Sequence, residues 1–402
     1  MRRKLDLRTG RSIWLSYRTT KIEEHPLSRD VRTDVLVVGS GISGAMVADL
    51  LSEAGHDVLV LDRRGPSRGS TPATTALVQY EIDVPLRELA GKIGSEKATR
   101  AWRRARLAVL NLKGRIEELG IACRMSPRQT LYLAGNQLSG SSLRAEADER
   151  AAAGLSARYL TAGQLQAGFG IERDGAILSQ GNLALDPVKL TTGLLTRAAE
   201  RGARIYAPEE AADFVHSSNG VTVRTKSGRA ISASHVVLAT GYELTDIVKE
   251  DRHRIISTWA IATGRQPKSA LVPGEPLIWE ASDPYLYLRT THDGRIICGG
   301  EDESFGDEDR RDRLIGEKSK RLSEKLANLL PRIDSSPEFA WAGSFGTTVT
   351  GLPLIGPLPR RPRIFALMGY GGNGITFARI AAELITTAIG GGLDTDADIF
   401  AL

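Results

Sequence analysis

The chain has 402 residues, of which 41% are hydrophobic and 25% are charged. These proportions are typical of globular proteins, and they exclude a wholly disordered or collagen-like chain. The 53 Lys and Arg residues exceed the 48 Asp and Glu residues only slightly, giving a net charge of +5. Because the basic residues are scattered in short pairs, we expect no nucleic-acid-binding surface.

The cysteine and histidine content bears on the cellular compartment and on metal binding. Two cysteines, Cys123 and Cys298, are too few for a disulfide framework and fit a reducing compartment. The six histidines stand singly, without the spacing of a metal-binding motif, so we expect no metal site. No apolar run approaches the ~20 residues of a membrane span. We therefore expect a cytoplasmic protein that does not engage a membrane.

Residues 1–30 are polar and have no clear hydrophobic period. Their basic start lacks the apolar segment of a signal peptide. We expect an N-terminal extension that is mobile or draped over the fold.

The first strong pattern lies between residues 33 and 62. The apolar run at 34–38 predicts a strand covered on both faces, and Val58–Leu61 predicts a second one. Between them, Gly39–Gly44 reads GSGISG and opens a stretch with helical periodicity. This arrangement predicts the β-α-β unit of a dinucleotide-binding fold.

Each glycine of this motif has a physical role in binding a dinucleotide. Gly39 allows the tight turn, Gly41 lets the backbone approach a pyrophosphate, and Gly44 lets the helix pack closely on the strand. Asp62 ends the second strand at about the spacing (~20 residues) of the acid that binds a ribose hydroxyl. Arg63 follows it, but the carboxylate at position 62 would repel the 2′-phosphate of NADP.

The rest of the chain predicts a mixed α and β structure. Gly91 and Gly94 break a long helical stretch, Asp186 opens a helix, and Asp293 and Gly294 join the strands of a hairpin. The predicted helices are 86–119, 142–152, 186–199, 312–330 and 375–389, and the predicted strands are 204–207, 221–225, 236–239, 285–290, 295–298 and 364–367.

Three further segments favour a long cofactor with two ends. The loop 68–79 is rich in glycine and small hydroxyl residues, and the strand at 236–239 runs into a glycine turn. A glycine-rich turn at 369–374 begins the last helix. The positive end of that helix would favour the negative charge of a reduced flavin ring, whereas the first helix would hold phosphates. Together these segments favour FAD over NAD.

The set of motifs GSGISG, LD, GST, VVLATGY, YLRTTHDGRIICGG, GLPLIG and GYGGNGI resembles the flavin oxidoreductases of the D-amino-acid oxidase superfamily, which includes glycine, sarcosine and γ-glutamylputrescine oxidases. The resemblance runs from about Thr33 to the C-terminus. It implies noncovalent FAD and oxidation of the C–N bond of an amine or amino acid to an imine, by hydride transfer to flavin N5. Oxygen is the expected second acceptor, giving hydrogen peroxide.

The resemblance also implies an α/β fold: a Rossmann-like FAD-binding domain of the glutathione-reductase type with an inserted antiparallel-sheet substrate domain. After the extension at 1–30, we expect a discontinuous FAD-binding domain at 31–85, 185–245 and 345–402, and a substrate domain at 86–184 and 246–344.

By the same resemblance, the cofactor-binding residues fall in the motifs named above. They are Gly39, Ser40, Gly41, Ile42, Ser43, Gly44, Asp62, Arg63, Arg64, Ser70, Thr71, Ala211, Ala239, Thr240, Gly241, Gly371, Gly372, Asn373, Gly374, Ile375 and Thr376.

Three residues are candidates for positioning the substrate. Arg289 and Tyr285 stand on one face of a predicted strand, where the arginine could clamp a substrate carboxylate or pair with a structural acid. Glu81, with Asp83, could bind a substrate ammonium or form a surface pair. We expect Glu301–Glu303 to be a solvated loop and Cys298 to be a small buried hydrophobe.

Three alternatives remain open from the sequence. The enzyme could be a dehydrogenase that passes electrons to a quinone or a carrier protein. It could resemble the oxidase half of a tRNA-modifying enzyme, although the scattered charges disfavour RNA binding. It could also be a flavoprotein subunit that is inactive alone. The partners expected are a small amine or amino acid and either oxygen or a redox carrier.

Overall fold

The computed structural model describes residues 7–248 and 250–402. The strands, in chain order, are β1 Arg8–Gly10, β2 Val31–Val38, β3 Val58–Leu61, β4 Leu77–Val78, β5 Ser126–Leu133, β6 Arg158–Thr161, β7 Gly175–Ala184, β8 Arg204–Tyr206, β9 Ala211–His216, β10 Val221–Thr225, β11 Ala230–Leu238, β12 Arg254–Arg265, β13 Leu277–Glu280, β14 Leu286–Thr290, β15 Arg295–Glu303, β16 Pro337–Thr347, β17 Leu354–Leu358 and β18 Arg361–Met368. The α-helices are α1 Ile42–Glu53, α2 Leu86–Ile93, α3 Ser95–Glu118, α4 Gly140–Ala152, α5 Ala162–Phe169, α6 Pro187–Glu200, α7 Glu308–Arg313, α8 Ile315–Leu329 and α9 Gly374–Ile389.

The first sheet has a parallel core in the order β18-β11-β2-β3-β8. Antiparallel β17 extends it beyond β18, and the β9-β10 hairpin is attached through β11. Val35 and Val37 pack with α1 on one face, whereas Leu36 and Val38 join a second core on the other. Because both faces are covered, the strand reads as a continuous apolar run, as the sequence predicts.

The second sheet has ten strands, and its main path runs β1-β16-β12-β15-β14-β13-β5-β7-β4. Its pairings are antiparallel except for β13 with β5. Helix α8 packs on one face, where Leu322 and Leu326 share a core with Trp259 and Cys298. Trp341 and Ile297, on the other face, join the core of the first sheet. The expected α/β fold with an added antiparallel sheet is therefore confirmed.

Several local predictions are also confirmed. Gly94, with φ +88°, separates α2 from α3 as predicted, whereas Gly91 lies within α2 and does not break it. The Asp186 side chain caps α6 by accepting hydrogen bonds of 3.0 Å from the backbone of Val188 and Lys189. Cys298 is fully buried, as expected for a small apolar side chain. Among the described helices, none is long and apolar enough to cross a membrane.

Of the two alternatives for the N-terminal extension, mobile or draped over the fold, the described part agrees with the second. β1 pairs with β16, and Ile13 and Trp14 are buried in the main core. The Trp14 indole donates a hydrogen bond of 2.6 Å to the carbonyl of Thr74. The largely polar composition of the segment gave no sign that these two side chains belong to the core. A short polar segment can be fixed to the fold by very few buried side chains. The first six residues lie outside the described part.

The prediction of a solvated loop at Glu301–Glu303 is wrong. β15 continues through Glu303, and Glu301 is only 4% exposed. Its carboxylate pairs with the ammonium groups of Lys325 and of buried Lys318 on α8, the latter at 3.4 Å. Lys318 and Lys325 are distant from Glu301 in the sequence, so the local run of acidic residues could not predict these ion pairs.

Candidate functional site

A cavity of about 1200 Å³ lies between the two sheets. Its wall includes Gly39, Asp62 and Ala239, which directly follow β2, β3 and β11 of the first sheet. Tyr287 of β14 and Phe345 of β16 come from the second sheet. Ligands of open α/β sheets bind in the crevice beyond the carboxyl ends of the parallel strands, which is where this cavity opens.

The chain can pass from β2 into α1 in this way only with glycine at two positions, one in the turn and one in the first turn of the helix. Gly39 has φ +114°, and a Cβ atom there would overlap the carbonyl oxygen of Ala239. A Cβ on Gly44 would overlap the carbonyl oxygen of Gly39. The first contact lets β2 lie against the end of β11, and the second lets α1 begin directly over the strand. The backbone of the turn is thereby left open to the cavity.

The start of α1 offers several polar groups to a bound anion. The Ile42 N–H donates a hydrogen bond of 3.0 Å to the Thr71 hydroxyl, which fixes the loop after β3 beside the helix. The Ser70 hydroxyl is buried in the cavity wall without a hydrogen-bond partner, and the Ser40 hydroxyl is likewise unpartnered just behind the wall. Unpartnered buried hydroxyls are costly. A pyrophosphate at this helix N-terminus would supply the missing acceptors.

Asp62 is held rigidly at the end of β3. One carboxylate oxygen accepts a hydrogen bond of 2.7 Å from the Ser40 N–H, and the other accepts bonds from the N–H groups of Arg64 and Gly65. These bonds orient the carboxylate along the cavity wall, where it can accept from the hydroxyls of a ribose.

The two arginines after Asp62 are neutralised by acids of the facing loop. Arg63 and Arg64 both pair with Glu243, and Arg63 lies 3.5 Å from the carboxylate of Glu210. A 2′-phosphate would have to displace these pairs and approach the Asp62 carboxylate. The geometry thus disfavours NADP for the reason inferred from the sequence.

The other end of the cavity is formed by the turn before α9. Gly371, Gly372, Gly374 and Ile375 line the wall there, at the positive end of the helix dipole. The Gly372 N–H donates a hydrogen bond of 2.8 Å to the carboxylate of Asp83. This end can therefore hold a group that carries partial negative charge.

Most of the residues that the sequence analysis assigned to the cofactor lie in the cavity wall. Those in the wall are Gly39, Gly41, Ile42, Ser43, Asp62, Arg63, Arg64, Ser70, Thr71, Ala211, Ala239, Thr240, Gly241, Gly371, Gly372, Gly374 and Ile375. Those outside it are Ser40, Gly44, Asn373 and Thr376.

Asn373 and Thr376 have a different role from the expected contact with the flavin. The Asn373 amide donates a hydrogen bond of 2.7 Å to the carbonyl of Glu81, and the Thr376 hydroxyl donates one of 2.8 Å to the carbonyl of Gln79. Both side chains are buried. They fix the segment 79–81 against α9, which in turn positions Gln79 in the cavity wall.

Of the three candidates for substrate positioning, only Tyr285 lies in the cavity wall. Arg289 is 3% exposed, and its guanidinium donates a hydrogen bond of 2.9 Å to the carbonyl of Ala76 and lies 5.0 Å from the centre of the Trp14 ring. Burial lowers the pKa of Arg289 to about 9. The predicted carboxylate clamp is therefore wrong, because the guanidinium is directed into the core.

Glu81 is fully buried, and it is neither a surface residue nor part of the cavity wall. Its carboxylate accepts a hydrogen bond of 3.1 Å from the Asn182 amide, and burial raises its pKa. Its neighbour Asp83 does line the cavity. Of the two acids that the sequence analysis considered together, the structure therefore places Asp83, and not Glu81, in the cavity wall.

The sequence analysis missed much of the cavity wall near Asp83. Thr258 and Trp279 belong to strands that were not predicted. The Thr258 and Tyr287 hydroxyls are 3.1 Å apart, and the ring centres of Tyr285 and Tyr287 are 5.2 Å apart. We call these four residues, together with Asp83, the substrate end of the cavity.

Asp302 lies behind the substrate end. Both of its carboxylate oxygens are buried without a hydrogen-bond partner of normal geometry. Burial raises the pKa of Asp302 to about 7, although the nearby hydroxyls of Thr258 and Tyr285 act in the opposite direction. Strict alternation from Cys298 would have placed Asp302 on the α8 face. Cys298 and Glu301 both face α8, so the irregular register between them turns Asp302 to the other face.

Comparison with known proteins agrees with this geometry. The model of the FAD dependent oxidoreductase family, DAO, matches residues 34–388. The γ-glutamylputrescine oxidoreductase of Escherichia coli (strain K12) is 26% identical over 377 residues, which cover 91% of this chain and 85% of that protein. The glycine oxidase of Bacillus licheniformis is 25% identical over 371 residues, which cover 89% of this chain and 93% of that protein.

Solved structures share the fold. The crystal structure of glycine oxidase from Geobacillus kaustophilus has a TM-score of 0.75 at 21% identity and covers 92% of this chain and 98% of that one. L-proline dehydrogenase from P. horikoshii also has a TM-score of 0.75, at 20% identity. The glycine cradle, the unpartnered hydroxyls and the two helix starts fit FAD, and the family match spans most of the sequence. The chain belongs to the DAO family of FAD-dependent oxidoreductases.

Proposed function

We propose that this protein oxidises the C–N bond of an amine or amino acid to an imine, which water then hydrolyses. The observation that carries the proposal is the single cavity that joins the glycine cradle before α1 to an aromatic and acidic end at Asp83 and Tyr285. The names of two relatives support it, since one is a γ-glutamylputrescine oxidoreductase and the other a glycine oxidase.

Residues at both ends of the cavity would hold FAD. Gly41 and the first N–H groups of α1 would bind the pyrophosphate, and Asp62 would bind the ribose of the adenosine part. The turn Gly371–Gly374 would face the flavin. FAD, when bound, accepts two electrons and a proton from the carbon next to the substrate nitrogen.

The attachment of FAD is proposed to be noncovalent. Cys123 and Cys298 are the two cysteines of the chain, and both are buried outside the cavity wall. Burial raises the pKa of each thiol, which disfavours the reactive thiolate. Neither sulfur is therefore suited to form a thioether with the flavin.

The protein would act on the substrate mainly by placing it and by excluding water. Tyr285, Tyr287 and Trp279 form an aromatic wall at the substrate end. The nitrogen must lose its proton before the carbon is oxidised, because its lone pair forms the new C=N bond. The pKa of Asp83 is raised by burial, which makes this carboxylate a suitable acceptor for that proton.

Two measurements test the proposal. Anaerobic addition of a pool of amines and amino acids should bleach the flavin absorbance of the holoenzyme, and the product should be the aldehyde, ketone or oxo acid expected from imine hydrolysis. No bleaching by any member, with full bleaching by dithionite, would contradict it. Admission of air should restore the absorbance and yield hydrogen peroxide if oxygen is the acceptor. Recovery only on addition of a quinone would assign the dehydrogenase alternative.

A further inference from the structure

We propose that the substrate end accepts a cationic amine and rejects any substrate that carries a carboxylate next to its reacting nitrogen. This inference rests on the proposed oxidation of a C–N bond and names the substrate class. It is carried by the position of Asp83, by the unpartnered carboxylate of Asp302 behind it, and by where the basic side chains of the cavity lie.

Asp83 is the acid best placed to meet a substrate. Its Oδ2 atom accepts the hydrogen bond from Gly372, and no described residue donates to Oδ1. The carboxylate is half-buried, and burial raises its pKa. Asp83 lines the cavity, so a substrate ammonium there could supply its carboxylate with both a positive charge and N–H donors.

Asp302 adds to the negative character of this end once it is ionised, above about pH 7. Its oxygens are buried without a hydrogen-bond partner of normal geometry, and the nearby donors are the hydroxyls of Tyr285 and Thr258. The charge of Asp83 raises the pKa of Asp302, so the two carboxylates are close enough to repel each other. A cation bound at the substrate end would relieve that repulsion, whereas an anion would increase it.

The histidine of the described cavity wall, His253, has its pKa lowered by burial, so it carries little positive charge near neutral pH. The lysine and arginine side chains of the wall lie at the other end. They are Arg63, Arg64 and Lys226, and each pairs with Glu243 or Glu210. Arg289 faces the core and not the cavity. Within residues 7–248 and 250–402, no Lys or Arg lines the substrate end. A substrate carboxylate there would be desolvated beside Asp83 without a cation to bind it.

The turn before α9 is built around this acid. A Cβ atom on Gly371 or Gly372 would lie 3.0 Å from the Asp83 carboxylate oxygens, which is closer than a side chain normally packs. Glycine at both positions therefore lets the carboxylate reach the turn. A basic side chain at either position could bind a substrate carboxylate. However, it would first have to displace Asp83.

The first test measures the rate of flavin reduction in the anaerobic holoenzyme and compares each amine with the amino acid that carries an additional carboxylate. The pairs are isobutylamine with valine, isoamylamine with leucine, and phenethylamine with phenylalanine, so that each amino acid has one amine and its carboxylate is next to it. We expect flavin reduction by the amine of at least one pair to be about tenfold or more faster at equal concentration, a difference of ~1.4 kcal/mol. Equal or faster reduction by the amino acids would overturn the inference and leave the proposed function standing.

A binding test decides the inference even if no compound reduces the flavin. tert-Butylammonium and pivalate share the tert-butyl group and carry opposite charges, and neither has a hydrogen on the carbon next to the charged group. Calorimetry on the holoenzyme should give a Kd for tert-butylammonium about tenfold or more below that for pivalate. Tighter binding of pivalate, equal affinities, or no binding of the ammonium would overturn the inference.

The residue assignment is tested with Asp83→Asn, whose amide oxygen can still accept from Gly372. This variant should keep FAD and lose about tenfold or more of its affinity for tert-butylammonium. The matched control is Asp148→Asn, the same chemical change at an exposed site on α4, which should leave the Kd unchanged. An unchanged Kd in Asp83→Asn would remove this residue from the site.

Discussion

Asp83 and Gly372 are 289 positions apart in the sequence, and a hydrogen bond of 2.8 Å joins the carboxylate of the first to the backbone of the second. The bond ties the segment after β4 to the turn that begins α9. Asn373 and Thr376 reinforce it through their bonds to the same segment. The acid of the substrate end and the turn assigned to the flavin are therefore one rigid unit, which is what orientation of a substrate against a cofactor requires.

Gly44→Ala should abolish retention of FAD. The added Cβ would overlap the Gly39 carbonyl, so α1 must move away from β2 and the pyrophosphate site is lost. We expect a destabilisation of more than ~3 kcal/mol. The control is Gly114→Ala in α3, where nothing lies within 4 Å of the new atom; it should gain ~0.5–1 kcal/mol. The ratio of flavin to protein absorbance after gel filtration, with the melting temperature, measures both effects. Full FAD content in Gly44→Ala would contradict the assigned cradle.

Trp14→Ala tests whether the N-terminal segment is part of the fold. The side chain is 1% exposed and braces Thr74, which lines the cavity. Its removal should cost ~3–5 kcal/mol and weaken FAD binding. Leu15→Ala, at a neighbour that is 52% exposed, should change the free energy of unfolding by less than ~0.5 kcal/mol. Chemical denaturation would compare the two, and equal effects would restore the view of a loosely attached arm.

Asp302 should make stability depend on pH. The carboxyl has an ordinary pKa of 3.8, and burial raises it to about 7 in the folded chain. Between these values the unfolded chain releases the proton and the folded chain keeps it, so stability falls as pH rises towards 7 and stays lower above it. Asp302→Asn should therefore be more stable than the parent by ~1–3 kcal/mol at pH 8 and nearly equal to it at pH 4. Melting curves across this range check the prediction, and a difference that does not vary with pH would refute it.

Arg289→Met separates a structural role from a substrate role. Because the guanidinium bonds to Ala76 and contacts Trp14 in the core, an apolar side chain of similar length should be tolerated with a change of less than ~1.5 kcal/mol. The Kd for tert-butylammonium, and that for pivalate, should change less than about threefold. A tenfold loss of affinity for pivalate at an unchanged melting temperature would return Arg289 to the site.

The glycine cradle at the start of α1 could be predicted from the sequence because its residues lie close together in the chain. The strand, the glycine turn, α1 and Asp62 follow one another within about thirty residues, and their spacing reflects one β-α-β unit. The start of α9 was found for the same reason, since a run of glycines precedes a clear helical period.

The residues of the substrate end could not be predicted from local sequence, because the pairing of distant strands brings them together. Gly299 and Gly300 suggested that the strand ends at Cys298, but glycine is needed there for packing. A Cβ on Gly299 would overlap the Tyr287 ring, and one on Gly300 would overlap the carbonyl of Tyr285. The strand therefore continues past Asp302 to Glu303. Similarly, period-two alternation places Arg289 on the face of Tyr285 and Tyr287, but Trp14 from the N-terminal segment covers that arginine.

The most direct test is the absorbance spectrum of the purified protein before and after anaerobic addition of the pool of amines and amino acids. The account predicts flavin bands that survive gel filtration, release of FAD by acid, and bleaching by at least one amine. Flavin that stays with the acid precipitate would contradict noncovalent binding. A colourless protein that takes up no added FAD, or a flavin that no pool member reduces, would contradict the central claim that this cavity holds FAD for the oxidation of a C–N bond.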